Sequence, residues 1–315
     1  MRLRRLAALL VVLIVAASSS PAQESASRPA EAEADRPNPR VVTEATRRDE
    51  ARLKALETQG KPLEAQDFEG EAPFKRYFEV QGLDSGTARI ETDPKSVHKG
   101  RRSLRLESPA RDGKSSGSSV HLWLGDDGYE RVHLRYYLKF AADYDQGNLN
   151  HTGGGLSGVA GTDKWRGMGG AGLRPKGDDS FSTRLEPWKD WGREKPPGAM
   201  FLYTYWMDMK RDKDGNFWGN MIEAPKSERF IPERDRWYAY EVMVKTNSVG
   251  KADGELAAWI DGKLHIHAVG FRWRSTPDVK LKRSSLLVYV HEARRSNVVH
   301  FDDVVLSTGY IGLAP

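Results

Sequence analysis

The 315 residues carry 49 lysines and arginines against 44 acidic residues, a formal net charge of +5, and no cysteine. Disulfides and a lipid-modified cysteine are excluded, so the fold must rest on its core, and a chain of this length buries enough surface for that. Arg2, Arg4 and Arg5 lie in the first 22 residues, which hold no acid, so the rest of the chain carries only +2, and global charge gives no reason to expect a nucleic-acid partner.

Those arginines precede an unbroken apolar run at 6–17, too short to cross a bilayer comfortably, and Ser20-Pro21-Ala22 offers small residues for cleavage. The pattern predicts a signal peptide over 1–22, a secreted or periplasmic protein, and no membrane association after cleavage. Residues 23–39 are rich in Ala, Glu, Pro and Ser and read as linker. TEATRRDEARLKALETQ (43–59) is dense in helix formers and stops at Gly60, with a thin apolar stripe. It predicts a charged surface helix within a 23–60 segment that can be removed.

Beyond about residue 66 short alternating segments take over. RVHLRYYLKF (131–140) sets Val132, Leu134, Tyr136, Leu138 and Phe140 on one face and His133, Arg135, Tyr137 and Lys139 on the other. MFLYTYWM (200–207), WYAYEVMVKT (237–246), SLLVYVHE (285–292) and VVHFDDVVLS (298–307) behave alike. ELAAWI and KLHIHAV flank Asp261-Gly262, a strong hairpin signal. Many strands and almost no helix predict one all-β jelly-roll sandwich over 61–315, expected to be a monomer.

Several motifs fail their tests. In DKDGN (212–216) the calcium-loop register puts Lys210 first and Met221 twelfth, so a hairpin tip is expected. His265 and His267 share a strand face, but two ligands do not make a metal site, and no metal or cofactor is expected. Gly113-Lys114-Ser115-Ser116-Gly117 lacks the strand-then-helix setting of a nucleophile elbow. The carboxylate spacing of a sandwich glycosidase is incomplete at Glu233-Asp235 and at Glu91-Asp93. Residues 271–295 hold seven arginines and lysines against Asp278 and Glu292, which reads either as an anion-binding face including Arg272 and Arg274 or as a solvated edge.

One polar constellation is better. FSTRLEPW (181–188) places Ser182 and Arg184 on one strand face, and MFLYTYW (200–206) places Tyr203 and Tyr205 on one face of another strand. Together with HLRYYLKF, the glycine-rich GGGLSGVAG, WYAYEVMVK, AWIDGK and FDDVVLSTGYIG, these segments resemble the concanavalin A-like jelly-roll polysaccharide lyases of the alginate and glucuronan lyase type, nearest to polysaccharide lyase family fourteen.

The resemblance implies β-elimination on an anionic, uronic-acid polysaccharide without a metal. Arg184 would neutralise the carboxylate and Tyr203 or Tyr205 would transfer protons, with Arg184 favouring the phenolate. Ser182, His151, Lys139, Arg135, Arg272 and Arg274 would bind substrate. The family's glycine-rich loop carries a lysine where Gly155 stands, so HTGGGLSG (151–158) is expected to bend beside the cleft, and His151, Lys139 or Lys164 would have to supply the missing cation. A non-catalytic carbohydrate-binding protein on the same scaffold and a glycoside hydrolase are the alternatives.

Overall fold

The structure, a computed structural model, describes residues 39–315; the signal peptide and nearly all of the linker expected from the sequence lie outside the described residues. After β1 (Arg40–Val41), α1 (Thr43–Arg48) and α2 (Glu50–Leu56) come β2 (Pro62–Gln66), β3 (Tyr77–Gln81), β4 (Ala88–Glu91), β5 (Ser103–Ser108), β6 (Ser116–Trp123) and β7 (Arg131–Phe140). The second half holds β8 (Asn150–Val159), β9 (Ser180–Trp188), β10 (Ala199–Tyr205), β11 (Asn220–Ile222), β12 (Trp237–Lys245), β13 (Gly254–Ile260), β14 (Lys263–Phe271), β15 (Lys280–Val290) and β16 (Asn297–Ser307).

The strands form a nine-stranded sheet, β1-β14-β13-β12-β7-β16-β5-β4 with β2 also on β16, and a seven-stranded sheet, β11-β10-β9-β8-β15-β6-β3. Pairing of strands distant in sequence, β7 with β16 and β8 with β15, is the mark of a jelly roll rather than a meander. Alternation fixes the layers. Val132, Leu134, Tyr136, Leu138 and Phe140 from β7 meet Leu156, Leu185, Leu202, Leu286 and Val288 of the other sheet in one core. Asp261 and Gly262 both take positive φ, 48° and 73°, the requirement of the two-residue turn that joins β13 to β14.

The glycine-rich stretch departs from expectation. It is no bend but β8, a central strand between β9 and β15. Its glycines make room for aromatic rings laid flat on the backbone. A Cβ on Gly154 would come within 2.2 Å of the Tyr136 ring, and one on Gly158 within 2.0 Å of Phe181.

The segment before β2 also differs. Two short helices replace one, because Asp49 leaves the helical conformation and its side chain accepts from the Arg52 N–H to start α2. They form a strap on the outer face of the nine-stranded sheet. The His267 N–H donates to Thr43 Oγ1 at 2.9 Å, Thr46 Oγ1 bonds His267 Nδ1 at 2.8 Å, and Leu56 packs with Met243, Ala257, Trp259 and Leu264. The C-terminal tail lies on the same face: the Ile311 and Gly312 N–H groups donate to Glu241, and Ala314 N–H donates to the Tyr137 hydroxyl. A chain starting near Lys61 would expose Trp259 and Met243, and its melting temperature is expected to fall well below that of a chain starting at Pro37.

The strap is wired into the sheet through a titratable group. His267 Nε2 and Lys245 both bond Glu255, at 3.2 and 2.7 Å, and hold its carboxyl down at about 2 against the opposing effect of burial. A depressed carboxyl contributes stability that is complete above its unfolded value near 4.5 and is lost as pH falls through about 2. Glu255→Gln should therefore cost about 1–2 kcal/mol at pH 7 and progressively less below pH 4.5. Denaturant midpoints of the two proteins at pH 7 and pH 3 check this; a gap that does not narrow refutes it.

Candidate active site

The outer face of the seven-stranded sheet carries the polar constellation. β9 and β10 pair so that Tyr203 lies opposite Arg184 and Tyr205 opposite Ser182. β8 pairs with β9 so that Gly155 lies opposite Arg184, and β15 continues the row with Ser285 opposite Gly155 and His121 of β6 opposite Ser285. Register thus aligns Tyr203, Arg184, Gly155, Ser285 and His121 across five strands on one face.

Arg184 is the centre of the row. Its guanidinium lies over Gly155, donating from Nη1 to the Gly153 carbonyl and from Nη2 to Ser285 Oγ, both at 3.0 Å, while Nε stands 3.9 Å from Glu186 Oε2. Burial pulls its pKa below the ordinary guanidinium value, opposed by Glu186. Glycine at 155 is what lets the guanidinium lie there: a Cβ would sit 2.9 Å from Thr183 O and 3.1 Å from Arg184 Cζ. Gly155→Lys, which installs the residue found in the resembling lyases, is therefore expected to displace Arg184 and lower turnover about tenfold or more. An activity gain would overturn this reading.

Glu186, two residues beyond Arg184 on the same face, was not singled out from the sequence. Its side chain is only 3% exposed, and both carboxylate oxygens lie 3.2 Å from His151 Nδ1. The His151 ring is 5.1 Å from that of Tyr203, and the Tyr203 and Tyr205 hydroxyls are 3.3 Å apart. Burial first, then Tyr205 and Glu186, raise the Tyr203 phenol well above its ordinary value; burial likewise raises Tyr205. The expectation that Arg184 would favour a phenolate is corrected by these surroundings: both phenols stay protonated, fit to donate rather than accept.

At the other end of the row His121 lies beneath Trp165 and Phe78, with ring centroids 5.2 and 6.1 Å away. Burial, then Arg184 and Arg283, lower it to about 3, so it is neutral. Arg283, on the same face, donates to the carbonyls of Lys164 and Arg166 and so ties down the loop that carries Trp165.

Four expected substrate ligands are elsewhere. Arg135 and Lys139 sit on the outer face of β7, in the other sheet. Arg135 donates to the carbonyls of Gly312 and Asp303, and Lys139 to Lys95 O and to Asp235 at 2.8 Å. Alternation assigned them to the polar face of a strand but could not say which layer of the sandwich that strand occupies. Arg272 is consumed by a two-point pair with Asp208, at 2.6 and 2.7 Å, and buried Arg274 by Glu130, Asn247 O and Val279 O. Arg272 and Arg274 are thus cations paired within their own surroundings. His265 and His267 hold no metal-ligand partners, and among the described residues no cluster of three or more His, Cys, Asp or Glu could hold a metal ion.

Comparison with known proteins agrees with the fold and gives the family. The model of the family described as polysaccharide lyase 14 matches residues 107–288, more than half of the chain. The fold is similar to that of a marine alginate lyase of that family from Aplysia kurodai, with 19% identity over 79% of this chain and 99% of that one, TM-score 0.61. It is also similar to an alginate lyase from a Chlorella virus, with 16% identity over 79% and 100% of the two chains, TM-score 0.56. A third alginate lyase, solved in complex with an alginate tetrasaccharide, shares 14% identity over 82% and 98%, TM-score 0.55. No curated protein matches the sequence.

Proposed function

Since the chain belongs to polysaccharide lyase family 14, we propose that it is an exported lyase that cleaves an anionic, uronic-acid polysaccharide by β-elimination on the outer face of the seven-stranded sheet. The observation that carries the proposal is the β9–β10 register, which sets Arg184 opposite Tyr203 and Ser182 opposite Tyr205. Arg184 binds the carboxylate of the sugar under attack and draws charge off the carbon next to it. Ser182 holds the same sugar. The protonated phenols of Tyr203 and Tyr205 supply the proton that the departing oxygen needs. No step calls for a metal. Alginate is the first polymer to try, because solved proteins of this fold are alginate lyases.

The leader over residues 1–22 supports export, and a mature N-terminus near Gln23, read from secreted protein, tests it. Purified protein mixed with alginate, glucuronan, pectin or glycosaminoglycans tests the chemistry. New ultraviolet absorbance from unsaturated ends is the expected result. New reducing ends without that absorbance would mean a hydrolase. Binding with no new ends would mean a carbohydrate-binding protein, the second reading, which Gly155 favours because the lysine of the resembling enzymes is gone.

A further inference from the structure

The lyase reading provides a carboxylate clamp and two proton donors but no group to take the proton. We propose that His151, oriented by Glu186, is that proton acceptor. The inference rests on the lyase reading and adds the missing partner to it.

Three groups on this face offer themselves. The tyrosines are held protonated by burial and by Glu186. His121 is 2% exposed, closed in by Trp165 and Phe78, and its Nε2 is already bonded to Ser119. His151 differs from both. Its side chain is 31% exposed, and one ring nitrogen, Nδ1, faces both oxygens of a carboxylate that is itself buried. A carboxylate can only accept, so Nδ1 carries the hydrogen, and in the neutral imidazole Nε2 has the lone pair. Nε2 has no hydrogen-bond partner among the described residues. A base oriented by a buried acid beside a proton donor is the arrangement that activates proton transfer in unrelated hydrolytic sites. Here the donor is Tyr203, whose ring is 5.1 Å away. Glu186 also stands 3.9 Å from Arg184 Nε, so one carboxylate positions both the clamp and the base.

The reaction balances as follows. With the sugar's carboxylate on Arg184, His151 Nε2 takes the proton from the carbon alpha to that carboxylate. The electron pair left behind forms the double bond to the adjacent ring carbon, the bond from that carbon to the glycosidic oxygen breaks, and the departing oxygen takes the tyrosine proton. The products are one chain with an unsaturated terminal sugar and one with a new hydroxyl. The proton on His151 returns to the tyrosinate directly or through water.

The groups facing His151 are Glu186 and Arg184 from β9, Tyr203 and Tyr205 from β10, and Tyr289 with His291 at the end of β15. The test is steady-state kinetics and a pH profile on whichever polymer the wild-type protein converts to unsaturated product. His151→Ala should lower kcat about a hundredfold or more with KM changed only a few-fold, and added imidazole should restore part of the loss. Glu186→Gln, the variant of the positioning residue, should lower kcat and move the acid limb of the kcat profile to lower pH, because a base without its carboxylate gives up a proton more readily. If His151→Ala does not fold, His151→Gln is read in the same way. Activity within about threefold of wild type in the His151 variant, or an acid limb unmoved in Glu186→Gln, overturns the inference while leaving the lyase reading in place. A wild-type protein that forms no unsaturated product from any of the polymers overturns both.

Discussion

Arg184→Ala is expected to reduce β-elimination about a thousandfold, with the protein still folded. Two effects add. The first is loss of the guanidinium that stabilises charge developing on the substrate's carboxylate; removing one preorganised donor of this kind costs about a hundred- to a thousandfold. The second is local. Glu186 is buried beside Arg184 and His151, so without the arginine its carboxylate loses a cationic neighbour. Arg184→Lys should recover at most about tenfold, because an ammonium cannot reach the Gly153 carbonyl and Ser285 Oγ together while presenting two parallel donors to a carboxylate. The measurement is the rate of ultraviolet absorbance gain on alginate, beside a thermal melt. A folded Arg184→Ala protein within tenfold of wild type would remove Arg184 from the chemistry.

Tyr205→Phe is the second large effect, a loss of about a hundredfold in kcat. Phenylalanine keeps the ring and its packing and removes only the hydroxyl. The hydroxyls of Tyr203 and Tyr205 are 3.3 Å apart and in the proposed reaction serve one proton transfer, so the double variant should cost little more than the worse single one. Additive losses would mean two separate roles. The pH profile gives an independent reading. Both phenols are raised above 10, so a donor of this kind stays protonated across the neutral range and activity should not decline until pH passes about 10. A decline near pH 8 would point to another donor.

The strands that pack the core were legible because their alternation is strong. β7, β12 and β16 fall within a residue or two of the segments that period-two patterning marks. β8 was not, since glycines have no side chains to alternate, and the groups that rest on them, the rings of Tyr136 and Phe181 and the Arg184 guanidinium, come from other strands. The attachment of the strap to the sheet was not legible for a related reason. Besides Leu56, its buried contacts run through Thr43 and Thr46, polar residues satisfied by His267. Within the site, alternation paired Ser182 with Arg184 and Tyr203 with Tyr205, and the β9–β10 register aligned the two pairs. Glu186 obeys the same alternation but stands beside Pro187 and Trp188, and its meaning comes only from His151, thirty-five residues earlier in the chain. Arg135 and Lys139 show the converse limit: period two names a face and not a layer.

The strap and the tail have a practical consequence for how the molecule meets its polymer. Both ends of the jelly roll lie on the outer face of the nine-stranded sheet, side by side where Gln59 bridges Tyr310, and the row centred on Arg184 lies on the opposite side of the sandwich. Anchoring the protein to a bead, a surface or a second module through the chain at β1 therefore leaves the face that carries Arg184 turned outward. For the proposed function that is the orientation needed on a gel, where the polymer is the fixed partner and the protein must lie down on it.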